Sequence, residues 1–171
     1  AKENGNKDPE YLVNQFSKYN VYRTNMVPSH LSLILEYLTQ DPSAIPKCQS
    51  LRIIGLGGEA LHMSLVERVH KTLPRVQIAN LYGPSETCII CAYYDCGSGN
   101  DSIIKELKGW AKGVASAASE IVPIGRPVTN ASLLILDEDM NLTPVGVSGE
   151  VFIGGKCLGL GYLNNPQQTS E

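Results

Sequence analysis

The sequence predicts an α/β fold: a mainly parallel sheet with flanking helices, followed by the start of a small antiparallel β-barrel-like subdomain. Two observations support this prediction. In the first part of the chain, short apolar runs typical of strands alternate with segments of helical periodicity, which is the pattern of a parallel sheet. From Pro123 onward the strand-like runs are short and are separated by turns, which favours antiparallel pairing. We therefore place a boundary near residue 120.

The expected elements follow in order. Leu12, Val13 and Phe16 have the spacing of one helix face, which predicts a short helix over 9–19. A strand over 21–26 is stopped by Pro28, and Ser29 is a plausible cap for the helix that ends near Gln40. The remaining elements are strands at 51–56, 76–81, 88–94 and 131–137, a helix at 61–73 and a helix-like stretch at 102–118.

Polar residues and glycines fall where the predicted parallel strands end. Asn25, Gly57 and Tyr82 each lie at such a position. In open α/β sheets, ligands bind beyond the carboxyl ends of the strands. The pattern alone therefore predicts a ligand site at this edge of the sheet.

The segment Asn-Leu-Tyr-Gly-Pro-Ser-Glu-Thr at 80–87 carries groups suited to a nucleotide. The amide of Asn80 can bond the edge of a base, and the ring of Tyr82 can lie against its face. Ser85 can donate to a phosphate, and Glu86 can hold a Mg²⁺ that bridges phosphate oxygens. For the Tyr-Gly-Pro-Ser part alone, an ordinary strand-to-turn junction remains the alternative interpretation.

Three further segments accompany it: Gly-Gly-Glu-Ala at 57–60 after a predicted strand, Pro-Ile-Gly-Arg-Pro at 123–127, and the glycine-rich stretch from 144 to 166. In this order they resemble the adenylate-forming enzymes, most closely the amino-acid adenylation domains of nonribosomal peptide synthetases. Tyr-Gly-Pro before Ser-Glu is more similar to that branch than to acyl-CoA ligases or luciferases, which usually lack the proline. The chain departs from the family at Cys157, Gly159 and Leu160, where glycine, alanine and arginine are usual.

The resemblance implies a role for each matching residue. Glu86 would bind Mg²⁺, Ser85 would contact the α-phosphate, Asn80 would read the adenine amino group, and Tyr82 would stack on the ring. The implied nucleotide-binding set is Gly58, Glu59, Ala60, Asn80, Leu81, Tyr82 and Gly83. The implied amino-acid pocket is Asn25, Gly55, Gly57, Leu81, Ile89 and Ile90, whose apolar walls favour a medium-to-large uncharged side chain.

The resemblance also implies an activity and partners. An ATP- and Mg²⁺-dependent ligase of secondary metabolite biosynthesis would activate a carboxylate as an acyl-adenylate and load it onto the phosphopantetheine thiol of a carrier-protein domain. Residues 1–120 would be the C-terminal part of the large α/β adenylation subdomain, and 121–171 the start of the β-barrel subdomain. An acyl-CoA or aryl-acid ligase and a non-catalytic nucleotide-binding or scaffold module remain alternatives.

Some family motifs do not occur in the sequence: the phosphate loop ending in Pro-Lys-Gly, the Thr-Gly-Asp segment and the lysine of the C-terminal subdomain. We therefore expect an internal fragment of a larger enzyme that is inactive alone.

Composition excludes several other functions. The net charge of −3 provides no basic field for nucleic acid, and no apolar run approaches the roughly 20 residues of a membrane span. The polar N-terminus lacks a secretion signal, so we expect a cytoplasmic location. Cys88, Cys91, Cys96 and Cys157 are a possible zinc set, but small buried hydrophobic residues are the favoured interpretation. We expect His70 on a solvated helix face.

Overall fold

The computed structural model describes residues 3–99 and 120–170. The expected helix-like stretch at 102–118 lies outside the described residues. The chain divides into two compact units, the first comprising Ala1–Asn80 with Tyr94–Pro123 and the second Leu81–Tyr93 with Ile124–Glu171. The division at residue 120 into subdomains of a larger enzyme stays a prediction.

The α-helices of the described part are α1 (Pro9–Lys18), α2 (Pro28–Gln40), α3 (Met63–Thr72) and α4 (Pro166–Ser170), with short 3₁₀ segments at Gly5–Lys7, Pro42–Cys48 and Ser85–Thr87. The carboxylate of Asp8 caps α1 by accepting from the Tyr11 N–H at 3.0 Å. The expected cap at Ser29 is wrong. Helix α2 begins at Pro28, its cap position is Val27, and the Ser29 side chain donates elsewhere. None of the described helices is long and apolar enough to cross a membrane.

The strands are β1 (Arg23–Met26), β2 (Ile53–Gly57), β3 (Gln77–Tyr82), β4 (Ala92–Asp95) and β5 (Arg126–Pro127), ordered β1-β2-β3-β4-β5, and a separate antiparallel pair of β6 (Ala131–Leu136) and β7 (Glu150–Gly155). Strands β1 and β2 are parallel. The Gln77 N–H donates to the Arg52 carbonyl at 2.7 Å, so β3 starts beside the start of β2 and runs the same way. The predicted fold class is confirmed.

Strand β4 returns antiparallel to β3. The Ile78 N–H donates to the Gly97 carbonyl at one end, and the Cys91 N–H donates to the Tyr82 carbonyl at the other. The expected strand at 88–94 is wrong in its first half, because β4 begins only at Ala92. Cys88 and Ile89 have φ angles of 54° and 80°, in the left-handed region that turns the chain back and is incompatible with a strand.

The described hydrophobic core belongs to the first unit. It contains Leu31, Leu35 and Leu38 of α2, the β2 and β3 side chains Ile54, Leu56 and Ile78, and residues of α1 and α3. His70 lies in this interior at 6% exposure, with Nε2 3.1 Å from the Gly97 carbonyl. The expectation of a solvated His70 is therefore wrong. Its helix face packs towards the sheet, where a carbonyl satisfies the ring nitrogen.

Candidate functional site

The first unit brings several predicted site residues to the carboxyl edge of its parallel strands. Asn25 of β1 lies directly opposite Gly55 of β2 in the ladder. Gly57 is the last residue of β2, and Asn80 lies near the end of the neighbouring strand β3. Because parallel strands end at one edge of a sheet, these residues share the edge where α/β proteins bind ligands.

The turn after β2 is fixed by a glycine and a carboxylate. Gly58 has φ of 83°, a conformation in which a side chain would be strained. The next residue, Glu59, accepts from the Ser29 N–H at 2.9 Å and from the Ser29 hydroxyl at 2.8 Å. This carboxylate satisfies the start of α2 and ties the turn to it. The side chain of Glu59 is thus engaged with α2, which leaves its backbone and that of Ala60 for the predicted pocket.

The side-chain amide of Asn80 is buried, and its nitrogen is hydrogen-bonded within the protein. It is 5% exposed, and its Nδ2 donates to the carbonyls of Val122 (3.3 Å) and Pro123 (2.9 Å). Those bonds fix the side-chain orientation, and no described residue donates to Oδ1. A fixed amide with an available oxygen can accept a hydrogen bond from an amino group such as that of adenine.

In the second unit, Gly83 closes the loop that carries the remaining site residues. A side-chain carbon at Gly83 would lie 2.6 Å from the Ile89 carbonyl oxygen and 2.9 Å from the Cys91 nitrogen. Only glycine permits this approach of two backbone segments. Buried Thr87 closes the turn inside the loop, its hydroxyl donating to the Pro84 carbonyl at 3.0 Å.

Glu86 extends from this loop and is held at two points. The Tyr162 hydroxyl donates to Oε1 of Glu86, and the Gly159 N–H donates to its backbone carbonyl at 2.7 Å. The hydrogen bond from Tyr162 lowers the pKa of the Glu86 carboxyl, and the same bond raises the pKa of Tyr162. Glu86 is therefore kept ionised, as a cation ligand must be.

A cavity of about 490 Å³ opens beside Glu86. Its lining comprises Ser85, Glu86, the segment from Leu158 to Leu163, and Thr169. The structure thus brings the two predicted catalytic residues, Ser85 and Glu86, to one cavity within the second unit.

The other predicted residues of the second unit lie on or beside the same loop. Leu81, Tyr82 and Ile90 are partly buried, whereas the Ile89 side chain is 76% exposed. The left-handed backbone of Ile89, which is rare for a β-branched residue, presents this side chain outward.

A dedicated metal cage is not found in the described part of the chain, where no three His, Cys, Asp or Glu side chains are grouped to hold an ion. Mg²⁺ is commonly bound by one or two carboxylates together with substrate phosphates. A single exposed carboxylate beside a cavity fits that kind of site.

Nearly the whole chain matches one known protein family. The model of the family described as "AMP-binding enzyme" matches residues 1–163. The chain belongs to the AMP-binding enzyme family.

Curated proteins similar to this chain align along nearly all of it. Phosphinothricin tripeptide synthetase PhsB of Streptomyces viridochromogenes is 34% identical over 171 residues, which are 100% of this chain and 12% of that protein. Bacitracin synthase 3 of Bacillus licheniformis is 34% identical over 167 residues, 96% of this chain and 2% of that protein. The chain therefore spans a small part of the length of the relatives that it matches.

Solved structures share the fold. The nonribosomal peptide synthetase FmoA3 superposes with a TM-score of 0.77 at 22% identity, covering 96% of this chain and 16% of that one. The N-terminal subdomain of NpsA from Klebsiella oxytoca, solved with 3-hydroxybenzoyl-AMSN, gives 0.70 at 21% identity, covering 95% of this chain and 36% of that one.

Sequence reasoning did not find the residues that hold the predicted ones. The partners of Asn80 are backbone carbonyls, which carry no sequence signal. Tyr162 lies 76 residues from Glu86. Gly161 and Tyr162 belong to the glycine-rich stretch that supports the family resemblance. The sequence does not show, however, that Tyr162 contacts Glu86.

Proposed function

We propose that this member of the AMP-binding enzyme family is part of an amino-acid adenylation domain of a nonribosomal peptide synthetase. Such a domain joins a carboxylate to the α-phosphate of ATP. The observation that carries the proposal is the Asn80-to-Glu86 segment: a fixed amide with an available oxygen, a partly buried tyrosine, and an ionised carboxylate beside a cavity.

Recognition of the base falls to the first residues of that segment. Asn80 Oδ1 accepts a hydrogen bond from the adenine amino group, while its Nδ2 stays on the carbonyls of Val122 and Pro123. The Tyr82 ring lies against the base. Gly58 and Gly83 would contribute backbone atoms to the nucleotide site, since a side chain would be strained at Gly58 and would collide with the Ile89 carbonyl at Gly83.

The chemical step needs positioning and charge neutralisation more than a protein nucleophile. A substrate carboxylate oxygen attacks the α-phosphorus, the bond to the bridging oxygen breaks, and pyrophosphate leaves. Ser85 donates to an α-phosphate oxygen, and Glu86 holds Mg²⁺, which when bound neutralises phosphate charge. This assignment explains why the loop presents one hydroxyl and one carboxylate at the same cavity.

The substrate pocket is proposed at Asn25, Gly55, Gly57, Leu81, Ile89 and Ile90. The glycines leave space for the substrate side chain, and Leu81, Ile89 and Ile90 would form apolar walls around it. The proposed substrate is therefore an amino acid with a medium-to-large uncharged side chain. The activated acid then passes to the phosphopantetheine thiol of a carrier domain in the cytoplasm.

The test is amino-acid-dependent ATP–pyrophosphate exchange by the natural protein that contains these 171 residues. We expect exchange with an uncharged amino acid. Asn80→Ala should raise the KM for ATP about tenfold, corresponding to the loss of one hydrogen bond of about 1.5 kcal/mol. Glu86→Gln should lower kcat with little effect on AMP affinity measured by calorimetry, because AMP does not need the metal.

Three results would redirect the proposal. Exchange only with aryl or fatty acids would favour the aryl-acid or acyl-CoA ligase alternative. Strong activation of aspartate or lysine would contradict the apolar pocket. No exchange with any acid, together with retained AMP binding, would favour a non-catalytic nucleotide-binding module.

A further inference from the structure

The carboxylate of Glu86 is held by a chain of contacts within the second unit. The Tyr162 hydroxyl donates to Oε1, and the Gly159 N–H fixes the Glu86 backbone carbonyl at 2.7 Å. Tyr162 is fixed in turn, because its own N–H donates to the Thr169 hydroxyl at 2.9 Å. Thr169 belongs to α4 and donates to the Asn165 carbonyl at 2.9 Å. The final helix therefore positions the tyrosine that positions the carboxylate.

Glu86 is exposed and lines the cavity, so its carboxylate is accessible to a ligand there. Tyr162 donates to Oε1 of Glu86 and fixes the direction of the carboxylate. Hydrogen bonds from neighbouring groups commonly orient carboxylates that bind metals. A carboxylate oriented in advance loses less side-chain freedom when it binds a cation.

The described residues that line the cavity include no lysine or arginine side chain. Among the described residues that line it, Glu86 has the one charged side chain, and the others are neutral. Leu160, a fully exposed residue of this lining, is apolar. Within this described lining, Tyr162 is therefore the residue whose side chain holds the carboxylate.

We propose that Tyr162 is a positioning residue that orients Glu86 for the divalent cation accompanying the nucleotide, acting from a segment outside the Asn80–Thr87 motif. This inference rests on the proposed function, in which Glu86 holds Mg²⁺. Tyr162 acts through the carboxylate and needs no contact with nucleotide or substrate.

The experiment measures how strongly Mg²⁺ tightens nucleotide binding. Calorimetry on the natural protein gives the Kd of AMP-PNP without and with Mg²⁺, and the ratio of the two reports metal binding independently of turnover. We expect Tyr162→Phe, which keeps the ring and removes the hydroxyl, to lower this ratio about tenfold, since loss of a group that orients a metal ligand costs roughly 10–100-fold in metal affinity. The Kd without Mg²⁺ should stay unchanged.

The matched control is Tyr93→Phe. Tyr93 is a half-exposed tyrosine of β4 in the same unit, and its hydroxyl makes no hydrogen bond within the described residues. The ratio for this variant should equal that of the unaltered protein.

A double-mutant cycle separates positioning from a general structural effect. Glu86→Ala should reduce the ratio strongly, and adding Tyr162→Phe should reduce it no further. A ratio unchanged by Tyr162→Phe, an equal loss of Mg²⁺-free affinity, or a further loss in the Glu86→Ala background would each overturn the inference while leaving the proposed function intact. An unchanged ratio in Glu86→Ala itself would overturn the metal role of Glu86 and the inference with it.

Discussion

At the residue scale, Asn80 combines structural and functional roles in one amide. Its Nδ2 hydrogen bonds join β3 to the segment at Val122–Pro123 in the interior of the first unit. Its Oδ1 is the end proposed to read the base. A buried amide that is held by two carbonyls is expected to contribute to stability even when no nucleotide is bound.

The first prediction concerns this structural role. Asn80→Ala leaves the carbonyls of Val122 and Pro123 without their donor, so the free energy of unfolding should fall by about 1–3 kcal/mol. Urea unfolding of the 171-residue chain followed by circular dichroism measures the change. Asn25→Ala, at an exposed position of β1, is the control and should change stability by less than about 0.5 kcal/mol. Equal effects of the two substitutions would contradict the structural role of the amide.

The second prediction concerns the thiols. Burial raises the pKa of Cys48 to about 11 and that of Cys96 to about 12, so both stay protonated and unreactive at about pH 8. Cys88 is exposed. A thiol reagent at that pH should therefore modify Cys88 in the folded chain, whereas Cys48 and Cys96 should react only after denaturation. Mass spectrometry of the labelled peptides identifies the modified residues.

The same shifts predict the behaviour at high pH. Both thiols have a folded pKa above the ordinary value of 9.0, so the unfolded state loses protons first. Below about pH 9, the raised pKa of each thiol makes its full contribution to the free energy of unfolding. As the pH rises towards the folded pKa, that contribution falls by up to about 1.4 kcal/mol per pH unit for each thiol. Replacing Cys88 should not change the slope of the unfolding free energy against pH. A changed slope would contradict the assignment of the pH effect to Cys48 and Cys96.

At the scale of elements, the start of α2 depends on a residue from another element. Pro28 begins the helix and Val27 offers no side-chain cap, so the orphan N–H of Ser29 is satisfied by the Glu59 carboxylate. The same contact holds the turn after β2. Helix stability and site geometry are therefore linked through one side chain.

The third prediction tests that link. Glu59→Ala should lower the free energy of unfolding by about 0.5–2 kcal/mol, as expected for the loss of a helix cap and of a negative charge at the helix N-terminus. Ser29→Ala removes the hydroxyl bond and keeps the N–H bond, so its effect should be smaller. The loss in Glu59→Ala should also shrink at high salt because ions screen the charge. Thermal unfolding at two salt concentrations distinguishes these outcomes, and a loss independent of salt would indicate packing alone.

At the scale of the whole molecule, burial is distributed unevenly. The described core cluster takes all its members from the first unit. In the second unit, the two-stranded sheet of β6 and β7 has Leu136 as its one buried side chain among the described residues. A two-stranded sheet with so little buried surface is marginally stable in water.

The fourth prediction follows from this difference. Hydrogen exchange monitored by mass spectrometry should show slow exchange for the amides of β2 and faster exchange for those of β6 and β7, because local opening of the second unit exposes little apolar surface. In the natural protein, protection of β6 and β7 should increase wherever additional segments pack on them. Equal protection of the two sheets in the 171-residue chain would contradict the prediction.

The sequence by itself determined the parts of this protein that depend on local periodicity and turn chemistry. The α/β alternation and the parallel strands were predicted and are found in the structure, whereas the nucleotide-binding role of Asn80–Thr87 stays a prediction. The family was also predicted, and the comparisons confirmed it. Each of these features depends on residues that are close together in the sequence, so a short segment is enough to predict it.

Tertiary structure decided the features that depend on partners distant in sequence. The contact of His70 with Gly97, the capping of α2 by Glu59 and the contact of Tyr162 with Glu86 join residues that are 27, 30 and 76 positions apart. The physical reason is that a hydrogen-bonding group can be satisfied by any carbonyl or carboxylate that the fold brings near it. Sequence pattern gives the groups available, and packing selects which of them meet.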